Sequence, residues 1–185
     1  MVVQHLPIVK EPNKVLRKIA GELSPADIRT PRIQKLLAEM KATLAETPDG
    51  VGLAAPQVGE SLRIFLVSEE SEHIGGENYE RDAASHKALA EEEKKKWKHF
   101  VYINPVIKKI SKNKVAYPEG CLSVPGTFGV VSRPEKITVE AYNESGKKFT
   151  RGASRFFARV LQHEIDHLAG VLFIDKAKKL IAHKQ

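Results

Sequence analysis

A chain of 185 residues, 42% apolar and 29% charged, can bury one sizeable core and has the make-up of a globular protein, not a fibrous or disordered one. No run is long and apolar enough to span a membrane, and the start, MVVQHLPIVKEPNK, lacks the basic end, apolar run and cleavage site of a secretion signal. The formal charge is +7 and uneven: residues 69–99 hold nine acidic against six basic residues, leaving about +10 elsewhere. That excess would suit a polyanion such as RNA or the ribosome, yet no zinc finger, RNP-type aromatic motif or GXXG loop accompanies it, so a lysine-rich soluble surface is the expectation. A single cysteine, Cys121, excludes an internal disulfide and fits a reducing cytoplasm.

In chain order, EPNKVLRKIA (11–20) reads as a short helix ended by Gly21. TPRIQKLLAEMKATLAET (30–47) is a stronger helix, with Thr30 at the N-cap, Pro31 at N1, and Ile33, Leu36, Leu37, Met40 and Leu44 at helical spacing. SLRIFLVS (61–68), FVYINPVI (100–107) and KITVEAY (136–142) are β-branched and aromatic and read as strands; the turn NESG then leads to a partner strand at KKFT. The connection at about 69–99 is charged and too poor in apolar residues to form a second domain, although residues 82–97 could form a polar helix with i,i+4 ion pairs. SRFFARVLQHEIDHLA (154–169) is the last strong helix, closed by Gly170; VLFID follows as a buried segment, then the basic tail KAKKLIAHKQ from 176. Strands with a few helices, not alternating βαβ units, predict a single α+β domain with largely antiparallel sheets packed around the HExxH helix.

That helix carries the chemistry. His163 and His167 are four apart, so both reach one cation from the same face, while Glu164 is turned aside by about 100° and flanks the ion without binding it. This is the layout a metal-activated water requires: the metal lowers its pKa and the carboxylate carries its proton. Phe157, Val160, Leu161, Ile165 and Leu168 surround the motif, and burying two histidines and a carboxylate there calls for a partner. Two histidines do not complete a site. Asp175 and His183 lie downstream, and no HExxHxxGxxH extension exists; the better candidate is Cys121, in the turn-rich stretch YPEGCLSVPG, where a thiolate with two imidazoles leaves a coordination position open.

Three stretches, GVGLAAPQVG (50–59), EGCLSVPG (119–126) and QHEIDHLAG (162–170), resemble the three motifs of the peptide deformylase family, in its order. The likeness covers nearly the whole chain except 69–99 and the last several residues. It implies hydrolysis of the N-formyl group from the initiator methionine of new polypeptides, with release of formate. It implies Cys121, His163 and His167 as metal ligands, Glu164 as general base and then acid, and Gln57 with the Leu122 backbone N–H as donors to the developing oxyanion. Val51 and Gly52 would pair with the substrate backbone strand fashion; Tyr117, Phe156 and Val160 are candidates for the methionine pocket. Glu119 and Asp166 could orient a ligand histidine or an arginine such as Arg133, with Glu119 expected to contact the substrate end of the site. The resemblance suggests Fe(II) as native metal, with zinc or nickel able to take its place, and nascent formyl-methionyl peptides as partners, with ribosome contact for the tail. The 69–99 segment is longer than most members carry. Two readings compete: an internal metallopeptidase, which needs no Cys121, and a basic RNA-binding protein with a closed structural metal site.

Overall fold

The computed structural model describes residues 3–47, 50–74 and 97–182; the polar helix expected at 82–97 lies, apart from Trp97, outside these. In chain order the elements are α1 (Pro31–Ala45), β1 (Gly52–Ala54), β2 (Ile64–Ser68), α2 (Glu70–His73), β3 (His99–Ile110), β4 (Lys114–Cys121), β5 (Val124–Pro134), β6 (Lys136–Tyr142), β7 (Lys148–Ser154), α3 (Arg155–Leu168), α4 (Phe173–Lys176) and β8 (Leu180–Ala182). Strands β1-β2-β3-β6-β7 form one sheet and β4-β5-β8 a second, and every strand pairing is antiparallel.

β2 shows why the five-stranded sheet forms a middle layer. All five of its residues are buried, which requires cover on both faces. Side chains alternate along a strand, and here Ile64 and Leu66 join the core under α1 while Phe65 and Val67 join the core that includes Phe157, Val160 and Leu161 of α3. Ile33, Leu36, Leu37, Met40 and Leu44 of α1 are all buried in the first of these cores. Thr30 is extended at the N-cap and Pro31 opens the helix, but the Thr30 hydroxyl donates to the Asp27 carbonyl instead of capping. α3 packs on β1, β2, β6 and β7 of the larger sheet and on β5 of the smaller. Tied to both sheets, it is held on several sides at the point where the two histidines project.

Two expectations need correction. Residues 11–20 form no full helix, only a 3-10 turn at Lys14–Arg17, because the backbone is claimed from outside: Ala20 N–H donates to Leu168 O and Gly21 N–H to Ser61 O, and Gly21 bridges Leu62. The tail from 176 is not free throughout, since Leu180–Ala182 pairs with Thr127–Gly129 of β5; residues 183–185 lie outside the described residues. VLFID is buried as expected at Leu172 and Phe173, and it ends in a short helix, α4. Strand β3 runs on past 107 to Ile110, and its pairing with β6 slips between Ile103 and Val106. Pro105 has no N–H to give there, and Asn104, at φ 50, exchanges two hydrogen bonds with the Leu23 backbone instead. Gly170 closes α3 at φ 72, where a Cβ would lie 2.6 Å from Arg17 O, so this position requires glycine twice over.

Candidate metal centre and active site

Two elements bring the three expected ligands together. Cys121 ends β4, and a two-residue turn, Leu122–Ser123, returns the chain so that Cys121 pairs with Val124. α3 supplies His163 and His167. One donor atom from each of the three residues lies within 4.8 Å of the others, and Cys121 Sγ is 3.2 Å from His167 Nε2. Asp175, weighed as a downstream ligand, is engaged elsewhere: it accepts from Arg17 Nη1 and from the Leu172 N–H. His183 lies outside the described residues.

Glu119, expected at the substrate end of the site, borders the cleft, and its carboxylate is engaged by protein groups. Its Oε1 accepts from Arg133 Nε (2.6 Å) and Arg159 Nη1 (2.6 Å), and its Oε2 from Arg133 Nη2 (2.8 Å), with His163 Nδ1 at 3.0 Å. Both oxygens are therefore committed behind the cluster, and the carboxylate fixes the far nitrogen of His163 so that Nε2 faces Cys121. Burial opposes ionisation of Glu119, but the arginine and histidine hydrogen bonds outweigh it and hold the carboxyl well below the usual range. Asp166 completes the network, accepting from Arg133 Nη1 (2.8 Å) and Lys176 Nζ (2.6 Å). The expectation that Glu119 and Asp166 could orient a ligand histidine or Arg133 matches these contacts. Arg159 went unremarked in the sequence; its only signal there is a charged residue one turn before His163 on an otherwise apolar face.

The cluster's electrostatics favour a cation. Burial lowers the pKa of His163, yet its hydrogen bonds with Cys121 and Glu119 more than offset that and raise it to about 10. Burial, then the charge of His163, holds His167 well below its usual value, so its lone pair is free to coordinate. Sulfur and two imidazole nitrogens suit zinc or Fe(II) alike. Glu164 lies beside them, buried, with Oε2 lacking any hydrogen-bond partner among the described residues. Burial pushes its carboxyl up to about 7, against the pull of His163. An unpartnered carboxylate oxygen next to two imidazoles and a thiol is what a site shaped around a metal ion leaves when only protein atoms are counted.

Gln57 sits in the 3-10 turn Ala55–Val58, and its Oε1 accepts from the Ala54 N–H at 2.8 Å. That bond sets which end of the amide faces the cluster: Nε2 lies 3.5 Å from Cys121 Sγ and 3.3 Å from Ser123 Oγ. A cleft of about 910 Å³ opens over these groups, lined by Val51, Gly52, Gln57, Glu119, Cys121 and Leu122 together with Tyr117, Phe156, Val160, His163 and Glu164. Of the expected catalytic, substrate-binding and metal-binding residues, all but His167 line this one cleft, and His167 joins it through the cluster with Cys121 and His163. Gly52 has a reason beyond any backbone pairing: a Cβ there would lie 2.4 Å from Glu164 Oε1. A smaller cavity of about 200 Å³ lies on the other side of Tyr117, Phe156 and Arg159, which line both spaces.

A cleft with three metal-competent donors, a carboxylate poised near neutrality and an oriented amide defines a hydrolase-type site. The polypeptide deformylase family profile matches residues 5–182. A peptide deformylase of Fusobacterium nucleatum is 38% identical over 181 residues, covering 96% of this chain and 88% of the relative; peptide deformylase 1A of Arabidopsis thaliana, chloroplastic/mitochondrial, is 38% identical over 169 residues, covering 91% of this chain and 60% of the relative. The crystal structure of a class I type b peptide deformylase from Acinetobacter baumannii, with Met-Ala-Ser bound, superposes with a TM-score of 0.76 at 31% identity, over 95% of this chain and 99% of that one. The chain belongs to the peptide deformylase family.

Proposed function

We propose that the described fold is one catalytic domain that removes the N-formyl group from the N-terminal methionine of newly made polypeptides. Cys121, His163 and His167 would hold one divalent metal, with Fe(II) the expected native ion and zinc or nickel able to occupy purified protein. The metal supplies Lewis acidity, lowering the pKa of a water and polarising the formyl oxygen. The single observation that carries the reading is Glu164: buried in the cleft, unpartnered at Oε2, and with its pKa raised to about 7.

A carboxylate with that pKa takes the proton from the attacking water and returns it to the departing amine nitrogen near neutral pH. The negative charge that gathers on the formyl oxygen would be met by the Gln57 Nε2 amide, whose orientation the Ala54 N–H fixes, and by the Leu122 backbone N–H at the turn after Cys121. The peptide backbone would lie along Val51 and Gly52, and the methionine side chain against Tyr117, Phe156 and Val160 on the cleft wall. The Met-Ala-Ser bound to the Acinetobacter relative begins with methionine, which supports a peptide with an N-terminal methionine as the class of ligand. A cysteine ligand needs a reducing compartment, consistent with a cytoplasmic location; ribosome contact is proposed on the surplus positive charge alone.

The test is formate release from formyl-Met-Ala-Ser by anaerobically prepared, Fe(II)-loaded protein, run beside a blocked peptide with no formyl group. Formate with the blocked peptide left intact supports the proposal. Interior cleavage with formyl groups untouched would make the chain a peptidase instead.

A further inference from the structure

We infer that Arg159 is a positioning residue for the metal cluster, bracing the histidine helix against the strand that carries Cys121. The ligands come from two elements that no covalent link keeps in register: Cys121 from the end of β4, and His163 and His167 from α3. Arg159 stands one turn before His163 on α3 and is 7% exposed. Its Nη2 donates to Val115 O on β4 (2.7 Å), and its Nη1 to Val131 O on β5 (3.0 Å) and to Glu119 Oε1 on β4 (2.6 Å).

The geometry divides the work between two arginines. Arg133, from β5, grips Glu119 with a two-point fork, which orients the carboxylate with respect to the smaller sheet. Arg133 also reaches α3, donating Nη1 to Asp166 Oδ2 (2.8 Å), which ties that helix to β5. Arg159 ties α3 to β4 directly, because its guanidinium leaves α3 and ends on β4 and β5 at three acceptors. Glu119 then passes that register to His163 through Nδ1, at 3.0 Å. A planar, always-charged group with several donors is required; lysine has one nitrogen and cannot reach carboxylate and both carbonyls in the same geometry.

The inference rests on the deformylase reading only in that the cluster binds a metal, so its test reads the metal and not turnover. Metal-free full-length wild type, Arg159→Leu and Arg159→Lys are titrated anaerobically with Co(II), following the thiolate-to-cobalt and ligand-field absorption bands, with affinity taken from competition with a chelator. The expected result is roughly 10- to 100-fold weaker binding and altered ligand-field bands for Arg159→Leu, with Arg159→Lys intermediate. A purely structural role would lower the melting temperature of the metal-free protein and leave affinity and bands at wild-type values, and that result overturns the inference. Should Arg159→Leu fail to fold, Arg159→Lys decides alone: weaker binding with altered bands supports it, and unchanged binding overturns it. Wild type that takes up no Co(II) defeats the metal reading itself, which is a distinct outcome.

Discussion

Gly52→Ala is the substitution whose effect the structure specifies most sharply. An alanine Cβ would lie 2.4 Å from Glu164 Oε1, 2.8 Å from Cδ and 3.1 Å from Cγ. Ordinary contact for such atoms begins near 3.4 Å, so the carboxylate must retreat by roughly 1 Å, and a misplacement of that size costs on the order of 100-fold in rate. Because the carboxylate is the end of a flexible side chain, it gives way and the fold does not; the loss of stability falls at the low end of the ~1–3 kcal/mol typical of overpacking. The three ligand residues are untouched, so metal affinity stays at the wild-type level. Formate release over a range of substrate concentrations separates causes: displacement of Glu164 lowers kcat, whereas a lost backbone contact alone raises KM. Gly152→Ala is the control, since nothing lies within 4 Å of its Cβ position. Wild-type kcat in Gly52→Ala would refute the claim that this glycine makes room for the base.

Glu164 also has a signature in stability. Its folded pKa, about 7, stands above the ordinary carboxylate value of 4.5, so the folded, metal-free protein binds the proton more tightly than the unfolded chain does. That contribution is fully present below about 4.5 and is lost as pH rises through about 7; Glu164→Gln, compared with wild type by denaturant melts from pH 4 to 8, should flatten this part of the profile, and parallel profiles would contradict it. Gly170→Ala should destabilise by about 1–3 kcal/mol, because φ 72 and a Cβ 2.6 Å from Arg17 O are both unfavourable; an unchanged melting temperature would count against the close approach. Leu161→Ala removes a side chain with no exposure between α3 and the larger sheet, and a loss of about 2–5 kcal/mol is expected in urea unfolding; a loss below 1 kcal/mol would mean that this core collapses around the change.

Residues whose burden is local were the ones legible in the sequence. The period of Ile33, Leu36, Leu37, Met40 and Leu44 is set by the helix itself, and all five are buried where that period puts them. Strand β6 spans the expected 136–142 because KITVEAY alternates inward and outward. The three stretches that converge on the cleft were recognisable because each carries a glycine, proline or ligand constraint within a few residues. What escaped notice depends on distant partners. Ala20 and Gly21 are drawn out of a helix by Leu168 and Ser61, far away in the chain. Leu180–Ala182 becomes a strand only because β5 offers an edge. Arg133, 14 residues on from Glu119, and a ligand histidine were legible as partners of that carboxylate; Arg159, 40 residues on, was not, because no periodicity or spacing near Glu119 announces it.

The central claim is that Cys121, His163 and His167 hold a metal while Glu164 moves the proton beside it. The most direct measurement combines metal content and formate release on the same anaerobic samples of wild type and Glu164→Gln, with formyl-Met-Ala-Ser as substrate. Wild type is predicted to carry one metal per chain and release formate; Glu164→Gln should keep the metal and lose about 100- to 10,000-fold in turnover. Metal-loaded wild type that releases no formate, or a Glu164→Gln protein as fast as wild type, would contradict the account.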